Sequence, residues 1–179
     1  MRTIFIVLFA LVFAPLSAET VKEETRCQVY FSPDDHVADH LIDLIHKEEK
    51  SIEIAAYAFS HSRIATALID AKKRGVLVEV VVDPFSLKFS SLLNRMVKVG
   101  IPVWVWKHEQ NQEKYPPIMH DKFCLFGGKS IWTGSFNFTY HADTMNRENA
   151  IYIQDKALAK KFHKQFEKIK SGAAVYQQK

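Results

Sequence analysis

The run from Val76 to Asp83, Val-Leu-Val-Glu-Val-Val-Val-Asp, constrains this chain more than any other stretch. Branching at Cβ stiffens a side chain and suits it to a pleated surface, so this segment specifies a strand. Pro84 stops it. Upstream, Ser51 to Phe59 is rich in Ile and Ala and reads as a buried strand. Between the two, Ile64, Ala67, Leu68 and Ala71 recur at helical spacing. That helix ends at Lys72-Lys73-Arg74-Gly75, with cations in its last turn and glycine after it, and Ser60 or Ser62 is placed to cap its start. Downstream, residues 86–99 read as a basic amphipathic helix with Leu87, Leu92, Leu93, Met96 and Val97 inward. Gly100 ends it, and Ile101 to Trp106 form a further strand. Strand and helix alternate through the first hundred residues. The pattern predicts an α/β fold, a mixed β-sheet sandwiched by helices in a single domain.

The flanks complete the plan. Cys27 to Phe31 reads as a short strand, Ser32-Pro33-Asp34-Asp35 as a turn and cap, and His36 to Lys50 as a helix facing inward with Val37, Leu41, Leu44 and Ile45. Lys107 to Pro117 is a polar loop. Ala150 to Ile153 is a strand, and Asp155 caps a last helix with Leu158, Phe162, Phe166 and Ile169 on one face. Residues 171–179 read as a flexible tail. Residues 1–18 have the form of a secretory signal: Arg2, an apolar run from Ile4 to Ala14, then Pro-Leu-Ser-Ala before Glu19. Residues 19–26 would link it to a domain spanning 27–170. The chain is thus expected to be exported, periplasmic or membrane-associated in a bacterium, with an uncleaved N-terminus as the route to a membrane. Cys27 and Cys124 lack metal-ligand spacing and are read as free thiols.

The chemistry concentrates between residues 118 and 149. His120 and Lys122 are two apart, a Gly-Gly-Lys-Ser turn follows, then Gly134-Ser135-Phe136-Asn137, then Glu148. Residues two apart on a strand share a face. A two-residue hairpin loop at Gly128-Lys129 would set Lys122 opposite Ser135 and His120 opposite Asn137. An imidazole, an ammonium, a hydroxyl and an amide would then converge, a set suited to attacking a phosphate ester and holding its oxygens. A three-residue loop would shift that pairing. The remaining histidines, His36, His40, His46, His61, His108, His141 and His163, are read as surface or helix residues without ligand spacing.

His-x-Lys, Gly-Ser-x-Asn and Glu-Asn at these spacings resemble the phospholipase D superfamily, and its small single-motif bacterial endonucleases most of all. Ala55-Ala56-Tyr57-Ala58-Phe59-Ser60, Ala71-Lys72-Lys73-Arg74-Gly75, the Val-rich strand and Gly100-Ile101-Pro102-Val103 extend the likeness over about residues 27–169. The resemblance implies catalytic roles for His120, Lys122 and Glu148 and substrate contacts from Ser135 and Asn137. It implies a phosphohistidine intermediate with neither metal nor cofactor. Such chemistry uses two copies of the motif. This chain has one, so a homodimer with a shared site is expected. Gly127 stands where the family pattern has Asp.

The chain carries a net charge of +4 over 179 residues, and its pI near 9.0 suits an anionic partner. Lys72, Lys73, Arg74, Lys88, Arg95 and Lys98, with Phe85, Phe89, Trp104, Trp106 and Tyr115 among them, suggest a single-stranded nucleic acid. The leading expectation is an exported DNA endonuclease, with a role in DNA uptake. The alternatives are a lipid phosphodiesterase of phospholipase D type, and a catalytically silent nucleic-acid-binding protein motivated by Gly127.

Overall fold

The computed structural model describes residues 26–107 and 116–178. The expected signal, most of the linker, and loop residues His108 and Tyr115 lie outside them. Within them one mixed sheet of eight strands organises the chain: β1 (Arg26–Ser32), β2 (Ser51–Ala56), β3 (Leu77–Val82), β4 (Val103–Trp106), β5 (Lys122–Phe126), β6 (Ser130–Gly134), β7 (Glu148–Gln154) and β8 (Ala173–Val175). Their order is β1-β7-β6-β5-β2-β3-β4-β8. The β2, β3 and β4 strands pair in parallel, the consequence of the helical crossovers between them. The other neighbours pair antiparallel.

Side-chain alternation divides the core into two layers. Ile52, Ile54, Val78, Val80 and Val82 pack beneath α1 (Val37–Lys47), α2 (Ser62–Lys73) and α3 (Ser90–Lys98). Ala55, Val81, Phe123, Leu125 and Ile131 face the other way and meet Phe166 and Ile169 of the last helix. With a short helix at Tyr140–Thr144 named α4, that last helix is α5 (Lys156–Ser171). The α/β sandwich is as the alternation implied. The Asp155 carboxylate accepts from the backbone N–H groups of Ala157 and Leu158, the expected cap, a contact worth about 1 kcal/mol. Cys124 is buried, Cys27 exposed, and both thiols are free.

Several details differ from expectation. Residues 171–178 are not a loose tail: Ala173–Val175 pair with β4, and the Tyr176 hydroxyl donates to Asn94. The segment after Pro84 begins as a 3-10 turn over Pro84–Phe89 before α3. Neither Ser60 nor Ser62 caps α2; His61 holds that position without a side-chain bond. His61 is also no surface residue, being buried beside Asp143 with 3.5 Å between Nε2 and Oδ2.

The largest difference is register. β5 and β6 pair Phe126 with Ser130 and Phe123 with Thr133. The loop therefore holds three residues. Gly127 and Gly128 take positive φ values of 55° and 65°, the Lys129 N–H closes the turn onto the Phe126 carbonyl, and Gly127 is the residue added to the expected Gly128-Lys129 loop. The pairing of Lys122 with Ser135 and His120 with Asn137 is thus corrected: the ladder's continuation sets Lys122 opposite Gly134, and both strands stop before the outer pair.

Candidate functional site

The expected residues still gather at one end of the sheet, the end where β2 and β3 finish. Open α/β sheets place ligands beyond the carboxyl ends of their parallel strands. Lys122 opens β5 beside Ala56, the last residue of β2. The Tyr57 N–H then donates to the Asp121 carbonyl at 3.0 Å. This join presses the segment before β5 against the end of β2. His120 sits there exposed, its ring meeting Tyr57 edge-on at 4.5 Å.

Lys122 is buried at 8 % exposure. Its ammonium donates to the His120 carbonyl at 2.7 Å and lies 5.2 Å from the Tyr57 ring centroid. Burial lowers its pKa from 10.5, opposed by the charges of Asp121 and Glu148. The exposed imidazole and the sheltered cation thus both lie against Tyr57.

Glu148 opens β7 opposite Ser32. Its Oε2 accepts from the Ser135 hydroxyl at 2.6 Å, and its Oε1 accepts from the Asn146 amide at 3.0 Å. Ser135 Oγ in turn accepts from the Asn149 N–H at 3.0 Å. Within this chain the Glu148 carboxylate is thus held by Ser135 and Asn146. Two carboxylate oxygens still retain acceptor capacity beyond one bond each. The Ser135 hydroxyl, expected to donate outward, is committed to Glu148. Gly134 makes this clasp possible. Its φ is +152°, and a Cβ there would collide with the Asn149 carbonyl oxygen. Asn137 lies beyond the clasp, its amide oxygen buried without a partner among the described residues.

The structure thus brings His120 to Lys122, Ser135 to Glu148, and the Glu148 charge within influence of Lys122. Tyr57, Asp83, Asn146 and Asn149 were not singled out from the sequence as site residues. The Asp83 carboxylate joins the Phe85 and Met119 N–H groups. Tyr57 and Asp83 each follow the last residue of a parallel strand, a position that could have marked them. Gly127 lies at the far end of β5 from His120. A Cβ there would stand 3.1 Å from Glu48 Oε1. Among the described residues, no group of three or more His, Cys, Asp or Glu side chains is arranged to hold a metal ion.

A family model described as "Cardiolipin synthase, PLD-like domain" matches residues 41–170. The chain belongs to the phospholipase D-like family. It is a phosphodiesterase of that superfamily. Phospholipase D of Rickettsia prowazekii (strain Madrid E) is 35% identical over 159 residues, which are 86% of this chain and 73% of that protein. Mitochondrial cardiolipin hydrolase of Xenopus tropicalis is 28% identical over 145 residues, 80% of this chain and 66% of that one. Among solved structures, the phospholipase D family member Nuc from Salmonella typhimurium is 31% identical. That alignment has a TM-score of 0.78 and covers 87% of this chain and 100% of Nuc. NucT from Helicobacter pylori, 23% identical with a TM-score of 0.79, shares the fold. Against the phospholipase D-like pattern, the departure at Gly127 falls in the hairpin turn.

Proposed function

We propose that this protein is an exported, metal-independent endonuclease that cleaves DNA, preferring single strands, from a homodimer whose site is shared. The observation that carries the reading is the exposed His120 imidazole, whose backbone carbonyl is held by the buried Lys122 ammonium, in a chain with one His-x-Lys motif. A phosphoryl transfer through histidine needs a nucleophile and an acid, and one copy supplies one imidazole.

In the first step the neutral imidazole of one His120 forms an N–P bond to the scissile phosphate. The P–O bond to the leaving nucleotide breaks, and the protonated His120 of the second copy gives its proton to that oxygen. In the second step the latter imidazole, now neutral, takes a proton from water. The water oxygen bonds to phosphorus and the N–P bond breaks. The two imidazoles begin in different protonation states. Lys122 from each copy offsets phosphate charge. Ser135 fixes Glu148, which orients an imidazole, and Asn137 binds a non-bridging oxygen.

DNA as substrate is supported by the resemblance to small single-motif endonucleases, by the likeness to Nuc along its whole length, and by the net positive charge. Residues 1–18 support export to the periplasm, with retention at the membrane if the segment is not removed. Uptake of DNA is the role that fits an exported nuclease of this kind. A lipid phosphodiester is the second reading, favoured by relatives named phospholipase D and cardiolipin hydrolase.

Parallel assays in chelator, with single-stranded DNA and with phosphatidyl-lipid vesicles, separate these readings. DNA cleavage that His120→Ala abolishes is expected. Headgroup release without DNA cleavage would replace this reading with the lipid one. DNA binding without cleavage would point to a silent binder.

A further inference from the structure

Three aromatic rings lead outward from His120. Tyr57 meets the imidazole edge-on at 4.5 Å. Phe85 stacks on Tyr57, with centroids 5.1 Å apart and planes 17° from parallel. Phe89 meets Phe85 edge-on at 6.4 Å. The Lys88 ammonium stands 4.3 Å from the Phe85 centroid. Exposure rises along the series: Tyr57 and Phe85 are half-buried, while Lys88 and Phe89 are exposed.

This series is fixed to the site by two buried polar side chains. Asp83 is 2 % exposed. One of its oxygens accepts from the Phe85 N–H at 2.8 Å and the other from the Met119 N–H at 3.0 Å. It therefore ties the aromatic turn to the residue before His120. Ser86, fully buried, donates to the Tyr57 carbonyl at 3.0 Å and accepts from the Phe59 N–H at 3.1 Å. Burying such groups is costly unless they are bonded, and here the bonds set where Phe85 lies relative to His120. Of the aromatics grouped by the sequence, Trp104 and Trp106 pack instead against the α5 layer.

We infer that Phe85 and Phe89, with Lys88, form a stacking platform for an unpaired nucleobase of the strand whose phosphate lies at His120. The inference rests on the nuclease reading and deepens it by naming what selects a single strand. Aromatic faces accept any base, because every base has a π-face, and bases paired within a duplex are not free to use them. Lys88 is a flexible cation that can leave the ring and meet the backbone phosphate of the bound nucleotide. An acyl chain would need apolar bulk at these positions but no aromatic plane.

The test compares affinities for a single-stranded oligonucleotide and for an abasic strand of the same length at fixed salt. Phe85→Leu keeps apolar bulk, Phe85→Trp keeps a ring, and Phe89→Ala removes an exposed ring. Phe85→Leu and Phe89→Ala are each expected to weaken oligonucleotide binding about 5- to 150-fold. Phe85→Trp should bind as wild type does, and all variants should match wild type on the abasic strand. Undiminished oligonucleotide binding by Phe85→Leu and Phe89→Ala, or equal losses on both strands, would overturn the platform alone if wild type still cuts DNA. A wild type that hydrolyses lipid vesicles and neither binds nor cuts DNA would overturn the platform and the nuclease reading together.

Discussion

The Lys122 ammonium donates to the backbone carbonyl of His120 at 2.7 Å, joining the two motif residues directly. Their relation does not depend on the hairpin register, because it spans a single intervening residue. Lys122 also carries the site's electrostatics. Its pKa is lowered by burial, with Asp121 and Glu148 opposing. It is charged below that pKa and neutral above it. Activity on DNA should therefore fall on the alkaline side at a pH below the ordinary lysine value of 10.5. Lys122→Arg, which stays charged, should lose this alkaline limb whatever its overall rate, and Lys122→Met should lose about 10²- to 10³-fold in kcat. A pH–rate series on all three proteins checks this; an alkaline limb unchanged in Lys122→Arg would assign it to another group.

Ser135 and Glu148 form the second joint of the site. Ser135→Ala removes the 2.6 Å bond to Glu148 and the acceptor for the Asn149 N–H. Urea denaturation should register a loss of about 1 kcal/mol, since the bonds are solvent-exposed. The fall in kcat should exceed what that small loss of stability explains. A stability loss with kcat intact would make the pair a structural clasp and nothing more.

Gly127→Asp restores the family residue at a position that resists it. A φ of +55° disfavours a side chain, and the new Cβ would stand 3.1 Å from the Glu48 carboxylate, which itself accepts from the Lys50 and Ser51 N–H groups. The expected cost is about 1–2 kcal/mol from the backbone, more with the added carboxylate, and part of it should return in Gly127→Asp with Glu48→Gln. Turnover should not rise. Higher kcat in Gly127→Asp would show that the turn does reach the catalytic end of β5.

His61 gives a pH dependence of stability. Burial lowers its pKa below 6.5; Asp143 opposes this most, Asp39 less, and the Arg63 charge adds to the lowering. Between the folded pKa and 6.5 the unfolded chain holds more protons than the folded one. Stability therefore rises with pH through that window and is lost on acidification. His61→Gln should flatten this limb in denaturation midpoints measured across mildly acidic pH. A slope identical to wild type would place the titrating group elsewhere.

The sequence made legible what short-range chemistry decides. The Val-rich β3, the Asp155 cap and the apolar stripe of α5 are local patterns, and each survives in the fold. His120, Lys122, Ser135, Asn137 and Glu148 were found through a motif, and they do gather at one sheet end. What stayed hidden depends on contacts distant in sequence. The hairpin register turned on one extra loop residue, Gly127, ahead of Gly128 and Lys129. Ala173–Val175 has no strong strand pattern and becomes β8 by pairing with β4. His61 lies buried beside Asp143, and Asp83 joins the site through Met119, partners 82 and 36 positions away.

The central claim is that two copies of His120 make one site, and subunit mixing tests it most directly. Wild type is mixed with increasing His120→Ala under conditions where subunits exchange, and DNA cleavage is measured per wild-type chain. A shared site predicts that this activity falls in proportion to the wild-type fraction, to about half in an equal mixture, because mixed dimers lack either nucleophile or acid. Activity per wild-type chain that stays constant at every ratio would contradict the account.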